Sequence, residues 1–249
     1  MAAPRKPEKP APTPEKRPAR GADPKAEKKP AARAATLPPH APPRPLRKPE
    51  KKLDLVRSFK AEYSAGRDPM LLVIQPAAYL TVTGKGEPGG DEFQARLGVL
   101  YGAAFTIKSV QQEAGRDFKV APLEGQYWGK GDVFKVAAAA DWNWKLMVRV
   151  PEFVTRSDLK RALESLTKKG RDPAEAGVKL ERLHEGECVQ ALHIGSYATE
   201  PETIERMDAF ARERGLALKG RHHEIYLSDP RKVPPTKIRT ILRYPVQDA

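Results

Sequence analysis

Hydrophobic and polar residues follow two alternating patterns along the body of the chain. An alternating, strand-like stretch at 78–84 is followed by apolar residues at three- and four-residue intervals over 91–113, which is typical of an amphipathic helix. Two more extended stretches follow, at 117–128 and 142–150. The pattern therefore predicts strand, helix, strand, strand, preceded by a short helix at 53–63.

The same order of elements is predicted a second time after a linking helix at 156–168. The second module's helix is predicted to begin near Thr199 and Glu202, which have the spacing of a capping box, and to end near Gly215. Its strands are predicted at 188–194, 222–227 and 238–245.

The repeated order predicts an α+β fold of two tandem strand-helix-strand-strand modules, at about 70–151 and 186–246. One such module could not cover its own sheet, so the pair is expected to form one mostly antiparallel sheet with helices on one face and a central ligand cleft. Short echoes support a duplication, because "RVP" at 149–151 is answered by "RYP" at 243–245 and Glu124 by Glu224.

Residues 1–52 have a different composition from the rest. They hold 15 Lys and Arg against 5 Asp and Glu, a charge of +10 out of the net +13, and residues 1–50 hold 14 of the 25 prolines. We predict a disordered basic tail, with the folded domain at 53–249. Such an arm can contact nucleic acid without reading its sequence, although a solubilising linker explains the composition equally well.

Several classes of protein are disfavoured. No apolar run reaches the length of a membrane span and no signal peptide is evident, so a cytoplasmic protein without membrane contact is expected. Cys188 is a single cysteine, which excludes an internal disulfide. "GKGEPG" at 84–89 matches a dinucleotide motif but is better explained as a strand-to-helix turn. His222 and His223 are adjacent and point to opposite faces of a strand, so we expect no metal and no cofactor.

Acidic and aromatic residues are the remaining candidates for chemistry. His222, Glu224 and Tyr226 share one face of their predicted strand. Glu124 has the corresponding place in the first module, so both glutamates are expected to approach one central cleft. Two carboxylates there favour a cationic or hydrogen-bond-donating ligand, and aromatic rings supply flat apolar walls.

One candidate wall residue, Tyr127, faces the other wall residues only if its strand contains a bulge. Gln126 and Trp128 share the face of Glu124, and a bulge at Gly125 is expected to turn Tyr127 toward them. Further wall candidates are Trp142 and Trp144. The alternative is that the two glutamates form structural ion pairs with Arg149, Arg239 or Arg243, and that the aromatic residues are ordinary core.

From about 53 to 246 the sequence resembles the GyrI-like small-molecule-binding proteins, relatives of the effector-binding domains of multidrug-responsive regulators. The strings that carry the resemblance are "TVTGKGEP", "EFQARLGVLYGAAFTIK", "PLEGQYW", "CVQALHIGSY" and "RHHEIYLSDPRKVPPTKIRTILRYPV". The resemblance implies a hydrophobic pocket with an acidic residue that binds bulky, often cationic aromatic compounds. It implies that Glu124, Tyr127, Trp128, Glu224 and Tyr226 line this pocket, with His222 beside them.

A branch of this family with a similar C-terminal motif is associated with hydrolysis of DNA-alkylating cyclopropanoid compounds, a detoxification reaction. On that hypothesis Glu224 is the base that activates water and Glu124 its electrostatic partner, or the reverse, and Tyr226 or Tyr127 donates a hydrogen bond to the ligand. The alternative is a protein without chemistry that sequesters drugs or modulates DNA gyrase.

Overall fold

The computed structural model describes residues 52–129, 142–171 and 173–249. The predicted basic tail therefore lies, except for Lys52, outside the described residues. Five helices are α1 Leu55–Ser58, α2 Asp91–Glu113, α3 Arg156–Lys168, α4 Pro173–Ala176 and α5 Glu200–Arg212. Nine strands are β1 Met70–Ile74, β2 Ala77–Lys85, β3 Leu123–Trp128, β4 Asn143–Arg149, β5 Lys179–Leu183, β6 Gly186–Ile194, β7 Leu216–Leu218, β8 His222–Tyr226 and β9 Arg239–Asp248.

All paired strands in the sheet are antiparallel. Eight strands follow the order β1-β6-β9-β8-β3-β4-β2-β5, and β7 pairs with β9. The first module is β2-α2-β3-β4 and the second is β6-α5-β8-β9, so β3 and β8 meet at the centre of the sheet. The predicted α+β fold with a mostly antiparallel sheet is confirmed.

The long helices cover one face of the sheet, which we call the helix face. In the first module α2 buries Phe93, Leu100 and Ile107 in one core with Leu80 and Leu146 of the sheet. In the second module a separate cluster joins buried residues of α5 to those of β6 and β9; it includes Met207, Ala211, Val189 and Leu242. The layer arrangement expected from the repeated pattern is thus present.

The opposite face is partly covered by the segment that leads into the fold. Tyr63, five residues after the end of α1, packs against Leu192, Ile225 and Ile241. These residues come from β6, β8 and β9, so the lead-in segment crosses the second module on the face away from the long helices.

Several details of local structure differ from the predictions. α5 begins next to Thr199, as predicted, but Thr199 makes no capping hydrogen bond, because its hydroxyl donates instead to the backbone oxygen of Ser196 at 2.9 Å. The strand predicted from residue 117 begins only at Leu123, and residues before it make a single bridge between Phe118 and Leu53. In addition, α1 is shorter than the helix predicted at 53–63, and the pattern missed β1, β5 and β7.

The "GKGEPG" segment is a turn between β2 and α2, and its glycines have separate structural reasons. Gly86 and Gly89 have φ angles of 105° and 90°, which favour glycine. Gly84 lies against the indole of Trp144, where a Cβ atom would overlap the ring. None of the helices in the described ranges is long and apolar enough to cross a bilayer.

Candidate functional site

Glu124 and Glu224 lie on adjacent strands but on opposite faces of the sheet. In the β3–β8 register Glu224 pairs with Gly125, and Glu124 pairs with Ile225. Directly paired residues share a face and successive residues alternate, so the two carboxylates point in opposite directions. The prediction that both glutamates enter one cleft is therefore wrong.

The error is a shift of one residue in the predicted equivalence of the two modules. β4 pairs Val148 with Leu123, whereas β9 pairs Leu242 with Glu224. If Arg149 and Arg243 are matched, then Val148 matches Leu242, and Glu224 is matched by Leu123 rather than by Glu124. A shift of one residue is enough to reverse the face of every side chain in a strand.

On the helix face, five polar side chains come together, and we call them the helix-face cluster. They are Tyr127, Glu200, His222, Glu224 and Tyr226. Nε2 of His222 lies 3.1 Å from Oε1 of Glu224 and 3.8 Å from Oε2 of Glu200. Tyr127 and Tyr226 share a hydrogen bond between their hydroxyl oxygens. The cluster thus combines two carboxyl groups and one imidazole with a pair of phenols.

The local structure explains how each member reaches the helix face. Alternation along β8 places His222, Glu224 and Tyr226 on this face, as the sequence predicted. Tyr127 arrives from β3 by the same alternation, because β3 is paired without interruption through Gly125 and contains no bulge. Glu200 is the first residue of α5.

The two carboxylates of the helix-face cluster are buried without a lysine or arginine partner among the residues that the structure describes. Glu200 is 2% exposed and Glu224 is 6% exposed. None of the ion pairs formed between described residues joins either one to a lysine or an arginine. Burial, together with the charge of Glu224, raises the pKa of Glu200 well above its ordinary value. A buried like-charged pair of this kind is typical of a functional site.

The two phenols of the cluster stay protonated over a wide pH range. Burial, followed by the charge of Glu224, raises the pKa of both Tyr127 and Tyr226 well above the ordinary value. Both hydroxyls therefore keep their protons at neutral pH, and one of them donates to the other within the pair. They could stabilise negative charge that develops on a bound molecule.

Aromatic rings surround this cluster. Trp142 packs edge-on against Tyr127 with ring centroids 5.9 Å apart, and Tyr197 packs edge-on against Tyr226 at 6.2 Å. The ring of His222 lies 5.1 Å from that of Tyr244. Tyr197 is 40% exposed, so the aromatic surround extends from the buried acids to the surface.

Two tryptophans predicted as pocket walls lie on opposite faces of the sheet. Trp144 is fully buried in the first module's core and packs edge-on against Phe93 at 5.1 Å. Trp128 is on the face opposite the helices, because it shares the alternation of Glu124, and its ring stacks with the guanidinium of Arg221 at 3.7 Å. Trp144 nevertheless pairs directly with Tyr127 across β3 and β4 and shares its face, so of the two only Trp128 lies away from the helix-face cluster.

Glu124 belongs to a second buried group, the opposite-face network, where its charge is matched. The hydroxyl of Tyr63 donates to Oε1 of Glu124 at 2.7 Å, and Nε2 of His223 lies 3.1 Å from Oε2. Nδ1 of His223 lies 2.8 Å from Glu185, which Arg243 also contacts at 3.3 Å. Each acid in this network has a cationic neighbour.

The charges in the opposite-face network stabilise one another. Burial alone would lower the pKa of His223, but the charges and hydrogen bonds of Glu185 and Glu124 outweigh it and raise the pKa to about 9. Burial would likewise raise the pKa of Glu185, yet His223 and Arg243 lower it to about 2. The expectation of structural ion pairs therefore fits Glu124, with His223 as its partner in place of an arginine.

The arginines expected to pair with the candidate glutamates have other partners. Nη1 of Arg149 donates to Glu62 at 2.6 Å, and Nη2 of Arg243 donates to the backbone oxygen of Glu62 at 2.6 Å. Arg243 also donates to the side chain of Gln190. These bonds attach the lead-in segment to the sheet, which is a structural role.

Glu200 is the residue of the helix-face cluster that sequence reasoning missed. It stands between Thr199 and Pro201 at the start of a helix, where an acidic residue is ordinary because the helix dipole favours it. The signal that could have identified it is the helix face: residues 200, 203 and 207 share the buried side of α5. A glutamate at the head of that apolar side needs a polar partner on the sheet.

Two surface grooves lie away from the cluster. One, of about 740 Å³, is lined by Leu159, Leu163 and Leu180 between α3 and β5, and another of about 660 Å³ adjoins it. Neither is lined by a residue of the helix-face cluster. Because the buried acids that lack a lysine or arginine partner within the described ranges are in the cluster, we take the cluster as the candidate site.

Comparison with known proteins agrees with the architecture. The model of the GyrI-like small molecule binding domain matches residues 75–247. An uncharacterised conserved protein from Listeria innocua is 40% identical with a TM-score of 0.74, and a hydrolase encoded by lin2189 from the same organism is 39% identical with a TM-score of 0.73. Each alignment covers 79% of this chain and 100% of the other. No curated protein matches the sequence.

The family match spans more than half of the chain, and the two Listeria structures share its fold over their whole length. A small molecule is therefore the partner of this domain. The chain belongs to the GyrI-like family of small-molecule-binding domains.

Proposed function

We propose that the helix-face cluster binds a flat aromatic compound and hydrolyses its strained ring, as in DNA-alkylating cyclopropanoids. The observation that carries the proposal is the burial of Glu224 and Glu200, without a lysine or arginine partner in the described ranges, directly beside two hydrogen-bonded phenols. Hydrolysis of this kind needs a base for water and a donor for a developing oxyanion, and the cluster contains both. The similarity to a Listeria hydrolase supports an enzymatic role.

The aromatic surround favours a flat ligand. Tyr197 is partly exposed and stands edge-on to Tyr226, while Trp142 stands edge-on to Tyr127. A planar ring that enters beside Tyr197 would lose its hydration and pack against these side chains, with its polar atoms near the phenols. Trp128 and Trp144 have no part in this proposal.

In the proposed reaction, the carboxylate of Glu224 accepts a proton from a water molecule whose oxygen attacks a carbon of the cyclopropane. The new C–O bond forms as a C–C bond of the strained ring breaks, and the electron pair moves through the conjugated system to the ligand's carbonyl oxygen. Tyr226 donates a hydrogen bond to that oxygen, which then takes up a proton to give a phenol. Glu124, on the other face, takes no part.

The test is mass spectrometry of a cyclopropanoid compound after incubation with the protein. Wild type is expected to return a product heavier by one water, and Glu224→Gln should lower the single-turnover rate by about 10²-fold or more, because the base is lost. Glu202→Gln is the matched control, since Glu202 is an exposed glutamate on α5 close to Glu200.

Two outcomes would contradict the proposal. Full activity of Glu224→Gln would remove Glu224 from the mechanism. A compound that raises the thermal stability of the wild type but is recovered unchanged would identify a binding protein that sequesters its ligand or modulates a protein such as gyrase. Aromatic cations and neutral cyclopropanoids should both be included.

We also propose that the basic tail at 1–52 contacts nucleic acid without sequence preference. The support is its charge of +10, which would release counterions from a phosphate backbone. Retention on DNA at two salt concentrations, with the full chain and with residues 1–50 removed, tests the proposal. Equal retention of both chains would show that the tail is not the contact.

A further inference from the structure

Glu200 and Glu224 reach the same buried position from different elements. Glu200 is the first residue of α5 and Glu224 is in the middle of β8. Their carboxylate oxygens and a ring nitrogen of His222 all lie within 4.8 Å of one another. Nε2 of His222 is hydrogen-bonded to Glu224, whereas Oε1 of Glu200 is buried with no hydrogen-bond partner in the described part of the chain.

The described residues around Glu200 offer little compensation for a negative charge. The titratable groups that face it are His222, Glu224 and Tyr226 from β8, Tyr127 from β3, and Tyr197 from the turn before α5. His193 of β6 is nearby but is hydrogen-bonded to Thr203. Two ionised carboxylates this close, in a buried site, would repel each other strongly.

We propose that Glu200 keeps a proton at neutral pH, so that it does not add a second negative charge to the site that it shares with Glu224 and His222. The inference depends on the proposed function only for its catalytic consequence. That consequence is that Glu224 can accept a proton from water. Glu200 is accordingly a positioning residue, since it acts through its neighbours. The raised pKa of Glu200, caused by burial and then by Glu224, agrees with this assignment.

The arrangement allows a hydrolytic cycle without a net change in charge. Glu224 gains a proton from water as the ring opens, and the oxygen of the product gains one as the phenol forms. With Glu200 protonated, the two carboxyl groups together hold one proton before the reaction and two just after water is deprotonated. One of these two protons then goes to the product. A second ionised carboxylate would instead hinder the approach of electron density to the same site.

The first test needs no ligand. Infrared difference spectra over a pH titration of the full chain, labelled with ¹³C in glutamate carboxyl groups, detect a protonated carboxyl directly. We expect one in wild type at pH 7, its loss in Glu200→Gln, and its retention in the exposed control Glu202→Gln. In Glu224→Gln it should remain but titrate at lower pH, by about one unit or more, because the like charge is gone.

Three results would overturn the inference. They are no protonated carboxyl in wild type at pH 7, a signal that persists in Glu200→Gln, or an imidazolium at His222 by NMR together with two ionised carboxylates. If Glu200→Gln does not fold, Glu200→Asp is the second variant: it keeps a carboxyl at the position, and its band should be displaced while others stay fixed.

The catalytic consequence has its own readout. If the proposed hydrolysis occurs, the wild-type rate should fall at alkaline pH as Glu200 ionises, and this limb of the profile should be absent in Glu200→Gln. A protonated carboxyl without any hydrolysis would refute the proposed function and leave the inference standing. Hydrolysis without a protonated carboxyl would refute the inference and leave the proposed function standing.

Discussion

Nε2 of His223 lies 3.1 Å from Oε2 of Glu124, and neither side chain is more than 1% exposed. The histidine's other ring nitrogen faces Glu185 at 2.8 Å, so the imidazolium is held between two carboxylates. A charge in such a position is tolerated only when it is paired. The stability of the centre of the sheet should therefore depend on pH, because this ion pair is lost when His223 loses its proton.

We predict that the free energy of unfolding decreases as the pH rises from about 6.5 to about 9. The pKa of His223 is 6.5 ordinarily and about 9 in the folded protein. A raised pKa of a base stabilises the fold fully below the unfolded value and loses that contribution as the pH passes the folded value. The loss is about 3 kcal/mol at most. Chemical denaturation at several pH values measures it.

The matched variant for this prediction is His223→Gln. Its free energy of unfolding should be lower at pH 6 and should change less between pH 6.5 and 9. Glu200 also has a raised pKa and contributes to the slope in both proteins. An equal slope in wild type and variant would therefore mean that His223 is not charged in the folded state.

Glu124→Gln and Glu224→Gln should separate stability from function. Glu124→Gln leaves the buried imidazolium of His223 and the Tyr63 hydroxyl with a weaker acceptor, and should lower the free energy of unfolding by about 3 kcal/mol. Glu224→Gln should leave the fold largely intact and remove hydrolysis. Denaturation and single-turnover assays on both variants check this, and a reversed pattern would move the site to the opposite face.

Removing one hydroxyl from the phenol pair should slow the proposed reaction. Tyr226→Phe removes a donor to the ligand oxygen, and the expected loss is about 10²-fold in kcat with a small effect on stability. Tyr63→Phe is the control, because it removes a buried hydroxyl from the opposite face; it should cost about 1 kcal/mol in stability and leave kcat unchanged. Equal rates for Tyr226→Phe and wild type would contradict the assigned role.

Gly84 in the "GKGEPG" turn is required for packing. An added Cβ would overlap the indole of Trp144, so Gly84→Ala should lower the free energy of unfolding by about 1–3 kcal/mol. Gly98→Ala is the control, since nothing lies within 4 Å of its added Cβ in α2, and alanine should stabilise the helix by about 0.5–1 kcal/mol. Thermal unfolding of the two variants should show shifts of opposite sign.

The sequence pattern identified the elements that carry long, regular periodicity. The bounds predicted for the helices at 91–113 and 156–168 match α2 and α3, because each buries an apolar face against the sheet. The short strands β1, β5 and β7 were missed. They lie at or near the margins of the sheet, where partly exposed residues give a weak alternation.

The site was harder to predict than the fold. Alternation within β8 correctly grouped His222, Glu224 and Tyr226, since that depends only on local geometry. The pairing of Glu224 with Glu124 depended on the register between strands, which residues far apart in sequence determine. The periodicity of α5 places Glu200 on the buried side of the helix, but it does not specify which residues of the sheet Glu200 meets.

The pairing of β3 with β8 joins the two modules through backbone hydrogen bonds across four residue pairs. The two modules consequently cannot move apart around a bound compound without breaking the hydrogen bonds between β3 and β8 at the centre of the sheet. Tyr127 and His222 face each other across the β3–β8 pairing, so the base of the candidate site is part of a continuous sheet. On the proposed function, compounds of different shapes would be accommodated by sliding of the helices and connecting segments over the sheet, or by rotamer changes, rather than by separation of the two modules.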